Sequence, residues 1–254
     1  PAGLQSDGYW STGASMADVN GDGWLDIFVS LSGPNEGMQR HNRLYINNQD
    51  GSFSEESRLW GLDHIGLSTS GHFFDADRDG DLDLLLLTNS FENLESFANA
   101  TSELRYVTEQ QSGLVFYEHL GDRYVEATQE AGFYQNKIAF PLSASIGDID
   151  NDGWPDVFVA NDFFERDYLF INQQNGSFIE SFEPPISYVG SLSSMGSDFA
   201  DISNDGLLDL YVSDMRPTSP ERFHSKMTYE SWEEYTDQKN RGFGNQVTRN
   251  TLFQ

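Results

Sequence analysis

The stretch DADRDGDLDLLLLTN, Asp75 to Asn89, sets five aspartates within nine residues directly against four leucines. Two unit charges about 4 Å apart in a partly buried setting repel by roughly 4 kcal/mol. Such a cluster is costly beside a buried strand unless a cation sits in it. The pattern returns three more times, as DVNGDGWLDIFVS from Asp18, DIDNDGWPDVFVA from Asp148 and DISNDGLLDLYVS from Asp201. Copies that start at residues 18, 75, 148 and 201 are spaced like propeller blades with loops of variable length.

A weaker motif follows each copy: RLYINNQDGSFSE from Arg43, LVFYEHLGDRYVE from Leu114, YLFINQQNGSFIE from Tyr168 and the fragment NTLFQ at the end. Each complete copy is two short β-rich runs joined by a Gly-containing turn, which is a hairpin signal. The unit is therefore four strands. In the first copy they are Ala14 to Asp18, Leu25 to Ser30, Arg43 to Asn47 and Ser52 to Ser57. The expected fold is an all-β propeller of four-stranded blades, three complete and a partial fourth, over residues 13–60, 71–131, 143–182 and 196–254. Insertions at 89–113 and 214–249 fall between second and third strands. Strand parity puts the acidic loops on one face and both insertions on the other.

The nine-residue acidic loop joins the first two strands of each unit. Oxygen side chains at positions 1, 3, 5 and 9, a backbone carbonyl at 7 and glycine at 6 meet the needs of a hard cation taking six to eight oxygen ligands. The glycines are Gly23, Gly80, Gly153 and Gly206. Asp-Gly pairs also make solvated hairpin turns, a reading that suits one such loop but not four with one spacing. An EF-hand is excluded: its bidentate Glu at position 12 is replaced by Val29, Leu86, Val159 and Val212.

With these motifs the chain resembles the FG-GAP, or VCBS, repeats of integrin α-chain-type β-propellers, within them the bacterial and cartilage-acidic-protein-like branch. The likeness covers nearly the whole chain. It rests on the four loops, on Gly13 and Gly196 five residues ahead of loops, and on the L-Y/F-x-N hairpins. It implies about four Ca²⁺, held by Asp18, Asn20, Asp22 and Asp26; by Asp75, Asp77, Asp79 and Asp83; by Asp148, Asp150, Asp152 and Asp156; and by Asp201, Ser203, Asp205 and Asp209. The position-7 carbonyls are those of Trp24, Asp81, Trp154 and Leu207. Ser203 departs from the usual Asp or Asn. The resemblance also implies a ring of about seven blades, so the remaining blades are expected in a longer chain. Ala2 to Leu4 matches the tail that follows a fourth strand, and Gln254 falls inside a third.

Composition limits the partners. With 14 Lys and Arg against 41 Asp and Glu, the formal charge is -27, and the basic stripe that nucleic-acid binding requires is missing. There is no cysteine, hence no disulfide or thiolate chemistry. No apolar run approaches the 18 or so residues of a membrane span. Loops of this kind in extracellular modules bind calcium with Kd of about 10⁻⁴ to 10⁻³ M. They would stand largely empty at cytosolic calcium, so a secreted, periplasmic or cell-surface protein is expected.

The second insertion carries SPERFHSKMTYESWEEYTDQ, with Ser219 as N-cap, Pro220 at the first helical position and Glu221 in the first turn of an expected short helix. Basic and aromatic residues gather there, and Arg216, Arg222, His224, Trp232 and Arg241 are the candidate ligand-binding residues. The alternative is a structural lid whose aromatics pack on the blades. Three functions fit: a calcium-binding scaffold recognising an extracellular protein or glycan, a sugar-binding lectin, or a propeller enzyme such as a polysaccharide lyase. The third is least favoured, because the five histidines show no metal-ligand spacing and His72 reads as a packed residue.

Overall fold

A computed structural model describes residues 2–4, 8–33, 40–182, 189–217, 219, 221–222 and 231–253. The first sheet is β1 (Trp10–Ala17), β2 (Asp26–Ser32), β3 (Arg43–Asn47) and β4 (Phe53–Glu55). The second is β5 (Leu67–Phe74), β6 (Asp83–Asn89), β7 (Gly113–His119) and β8 (Tyr124–Glu126). The third is β9 (Pro141–Gly147), β10 (Asp156–Asn161), β11 (Tyr168–Asn172) and β12 (Phe178–Glu180). After the pair-forming β13 (Gly190–Ser191) come β14 (Ser194–Ala200) and β15 (Asp209–Asp214), then β16 (Gln246–Val247) and β17 (Thr251–Phe253). The first three sheets run in chain order with antiparallel neighbours, and the fourth has three strands, β14-β15-β17. The fold is all-β, and these four antiparallel sheets are propeller-type blades.

The strand before each loop starts earlier than its sequence pattern shows. β1 begins at Trp10 instead of Ala14, because its register shifts between Ser11 and Gly13, and a bulge hides the period-2 alternation. The bulge recurs in β5, between Ser68 and Ser70. It aims a threonine at the next blade: Thr12 Oγ1 donates to the Ser68 carbonyl at 2.7 Å, and Thr69 Oγ1 to that of Pro141 at 3.0 Å. A Cβ at Gly13 would lie 2.6 Å from the Thr69 carbonyl oxygen. The glycine ahead of the first loop thus allows two blades to approach at backbone distance.

The leucine run is explained by its neighbours. Leu84 to Leu87 are fully buried. Side chains alternate across a strand, so Leu84 and Leu86 pack with Phe28 and Leu44 of the first blade, while Leu85 and Leu87 pack with Val157, Val159 and Phe170 of the third. β10 repeats this, with Val157 and Val159 toward the second blade and Phe158 and Ala160 toward Leu210 and Val212 of the fourth. The cores lie between blades. Burying each leucine contributes about 2 kcal/mol, and the strands that follow loops two and three are apolar on both faces because both are covered.

The insertions meet on one face. The Ser102 amide donates to the Arg241 carbonyl at 2.9 Å, and Phe243 is buried with Phe97, Ala100, Ile138 and Phe140. The expected helix is only partly visible. The Arg222 amide donates to Ser219 Oγ at 3.2 Å, as an N-cap would have it, but Pro220 and 223–230 lie outside the described residues. The described helix of this insertion runs from Trp232 to Asn240 and opens on a capping box, Ser231 with Glu234. That S-x-x-E signal stands in the sequence and belongs to a helix start later than the expected one. The parallel pair β13-β16, two residues long on each side, is too short to leave a periodic signature. Among the described residues no helix is long and apolar enough to cross a membrane.

Candidate metal centres

The four loops share one backbone. Position 4 is left-handed in each, at Gly21 (φ 68°), Arg78 (61°), Asn151 (58°) and Asn204 (59°). So is position 6, at Gly23 (88°), Gly80 (98°), Gly153 (90°) and Gly206 (89°). In loops one, three and four the position-1 carboxylate accepts the amides of positions 5 and 6: Asp18 from Asp22 (3.0 Å) and Gly23 (2.8 Å), Asp148 from Asp152 (3.0 Å) and Gly153 (2.9 Å), and Asp201 from Asp205 and Gly206 (both 3.0 Å). In loop two Asp75 accepts the Gly80 amide at 3.2 Å, and the Asp79 amide goes to Asp77. Position 5 accepts the amide of position 7, as Asp79 does from Asp81 at 2.9 Å and Asp152 from Trp154 at 2.8 Å. These bonds curl the chain until its side-chain oxygens converge. At Asp22 the Trp24 amide is the main reason its carboxyl is held below the usual range.

Position 9 has a second role that its spacing does not show. Asp26 accepts the Val19 amide at 3.1 Å on one oxygen and the Asn47 amide at 2.8 Å on the other. Asp83 does the same with Ala76 (3.0 Å) and His119 (2.9 Å), and Asp156 with Ile149 (3.0 Å) and Asn172 (2.8 Å). Each staples the start of its loop to the end of the third strand. In the fourth loop Asp209 accepts Ile202 and Ser203, both at 2.8 Å. Burial raises the pKa of Asp26 and Asp156, and pushes Asp83 up to about 7. The staple's second amide comes from the last residue of the third strand, Asn47, His119 or Asn172. The following turn helps too: Gln49 Nε2 donates to Asp22 Oδ2 at 3.1 Å, and Gln174 Nε2 to Asp152 Oδ2 at 2.7 Å.

A hard divalent cation fits this donor set. Carboxylate oxygens of Asp75, Asp77 and Asp79 lie within 4.8 Å of one another, as do those of Asp148, Asp150 and Asp156. Asp75 Oδ1 is buried with no hydrogen-bond partner, an orphaned anionic oxygen of the kind a bound ion satisfies. Burial raises the pKa of Asp77, and the charges of Asp79 and Asp75 add to the rise. All donors are oxygens, which suits Ca²⁺ better than a thiolate- or imidazole-seeking metal. Loops one and four carry Asn20 and Ser203 at position 3, so each offers one carboxylate fewer.

The insertion candidates divide. Arg241 is built into the structure: its guanidinium donates to the carbonyls of Phe97, Ala98 and Ala100 and pairs with Asp237 at 2.9 Å. Arg216 and Arg222 are both engaged within the chain, and His224 lies outside the described residues. Trp232 is 78% exposed. It stacks on Tyr235 at 5.4 Å between centroids, and the two line a pocket of ≈ 450 Å³ with Leu192, Gln238 and Gln246. His72 is packed, with Nε2 2.9 Å from Ser70 Oγ, and burial pushes the pKa of His64 down to about 4.

The sequence profile of the FG-GAP-like repeat matches residues 18–86 and 148–212, more than half of the chain. Each matched segment starts at position 1 of an acidic loop and ends in the second strand of the following blade. No curated protein matches the chain.

Proposed function

Because this chain belongs to the FG-GAP-like repeat family, we propose that it is a calcium-stabilised extracellular scaffold whose insertion-bearing face recognises a protein or glycan. The observation that carries the calcium reading is the orphaned Asp75 Oδ1 beside the converging carboxylates of Asp77 and Asp79. An empty loop keeps aspartates that repel one another, and an ion removes that cost. A ligand at 100 times its Kd stabilises the native state by about 2.7 kcal/mol per site. Loops two and three, richer in carboxylates, hold their ions more tightly than loops one and four.

Thermal unfolding in EGTA and in millimolar calcium tests this reading. The midpoint should rise by several degrees with calcium, and an unchanged midpoint would overturn it. Weak sites of this class fill only outside the cytosol, which supports a secreted, periplasmic or surface location; fractionation of cells producing the protein would check that. For recognition, the exposed Trp232 stacked on Tyr235 favours the insertion face. Trp232→Ala should abolish binding to any glycan or protein found in an array screen, while Trp24→Ala on the loop face should leave it intact.

A further inference from the structure

Arg78 breaks the rule that its three counterparts obey. Position 4 of the loop is left-handed, and glycine or asparagine stands there in loops one, three and four. An arginine in that conformation costs on the order of 1 kcal/mol, so the contact it makes must compensate. Its side chain crosses to the next blade. Nη1 donates to the Gly153 carbonyl at 3.0 Å, and the guanidinium carbon sits 5.5 Å from the centre of the Trp154 ring. Gly153 and Trp154 are positions 6 and 7 of loop three. A second tie runs the other way: Asn172, whose amide holds Asp156 of loop three, donates from Nδ2 to the carbonyl of Ala76 in loop two at 2.8 Å.

We propose that Arg78 is a positioning residue that couples the second and third metal loops, so that a divalent cation held in one raises the affinity of the other. This rests on the calcium reading above. An ion in loop two fixes Asp77 and Asp79 on either side of Arg78 and so orders its backbone. An ion in loop three fixes the peptide and ring on which the arginine lands. Whichever loop fills first removes part of the ordering entropy that the shared contact would otherwise cost the second. Charge works against part of this, because each divalent ion weakens the field that draws Arg78 and the second ion. Loop two has five aspartates and loop three four, however, so each loop stays net negative with one ion bound, and the ordering of the shared contact sets the sign of the coupling. Loop one carries Gly21 at this position, which has no side chain to reach loop two.

The amides of Gly23, Gly80, Gly153 and Gly206 each donate to the position-1 aspartate of their own loop. Their resonances in a two-dimensional ¹⁵N spectrum of the full chain report the four loops separately during a calcium titration. Asp77→Ala, with Asp79→Ala as a second way to disable loop two, should weaken calcium at Gly153 by about fivefold or more, within the usual range of allosteric coupling. The responses at Gly23 and Gly206 should not change. In an Arg78→Ala background the same substitution should leave Gly153 unaffected, and Arg78→Lys should restore the coupling only partly. Equal weakening at Gly153 with and without Arg78 would assign the coupling to another contact, such as that of Asn172 with Ala76, and overturn the role of Arg78. No weakening at Gly153 in either background would overturn the coupling itself, in both cases leaving calcium binding intact. A titration in which none of the four amides moves would overturn calcium binding and the coupling together.

Discussion

Arg105 donates from Nε to Glu165 Oε1 at 2.7 Å, and the two side chains are 6% and 0% exposed. The pair joins the first insertion to the β10-β11 connection of the third blade. Burial raises the pKa of Glu165, and the charge of Arg105 opposes that rise. The geometry is incomplete, since Arg105 Nη2 and Glu165 Oε2 have no partners. Removing one member of a buried pair strands the other charge, which costs about 3–5 kcal/mol, whereas replacing both with apolar groups is often neutral. Glu165→Ala should therefore lower stability by that amount in urea unfolding at fixed calcium. Arg105→Met with Glu165→Leu should recover most of it; a double variant as unstable as the single one would show that the pair contributes net stability.

The staple at position 9 gives that aspartate a structural role apart from the proposed metal binding. Asp156→Ala leaves the amides of Ile149 and Asn172 without their acceptor, at about 1–3 kcal/mol for each buried group. It should destabilise the protein even in EGTA. Asp148→Asn changes a carboxylate whose hydrogen bonds are solvent-exposed. It should leave the melt in EGTA within about 1 kcal/mol of wild type and reduce the calcium-induced shift instead. Equal losses in EGTA would show that position 1 is as structural as position 9.

The repeat, the blade and the loop were legible because each rests on a local pattern: the D-G spacing, the apolar run and the turn glycine. Arg43 to Asn47 was placed to the residue. What stayed hidden depends on contacts between distant residues. The partner that makes Asp26 a staple, Asn47, is 21 residues away, and that of Arg78 is 75 away in another blade. The sequence motif leaves position 4 open, and its left-handed backbone, which makes Arg78 the exception beside Gly21, Asn151 and Asn204, shows only in the structure. The inward role of Arg241 likewise depends on the carbonyls of Phe97, Ala98 and Ala100 in the other insertion.

Phe243 is the apolar pin between the two insertions. It is fully buried and meets Phe164 edge-on at 5.1 Å. Truncating a buried phenylalanine costs about 3–5 kcal/mol, depending on how far the site collapses. Phe243→Ala should accordingly speed tryptic cleavage after Lys239 and Arg241, while the calcium-dependent melting shift proposed for the acidic loops on the opposite face should persist. Loss of that shift would show that the two faces are coupled.

Asp167 gives a pH dependence that does not involve the loops. It is buried, accepts the Asn161 amide and the Ser194 hydroxyl, both at 2.9 Å, and its pKa is pushed up to about 7, mainly by burial. Among the charges that act on it, Asp214 raises the value and Arg166 lowers it. In the unfolded chain the same group titrates near 3.9. Between those values the native state holds a proton that the unfolded state has released, so stability falls as pH rises. The contribution is full below about pH 4, declines up to about pH 7, and has gone above it; its upper bound is about 4 kcal/mol. Asp167→Asn keeps the shape and cannot ionise. Unfolding free energies in EGTA from pH 4 to 8 should give a difference, wild type minus variant, that declines across this window and is flat beyond it. A difference that does not vary with pH would show that Asp167 is ionised in the folded protein throughout.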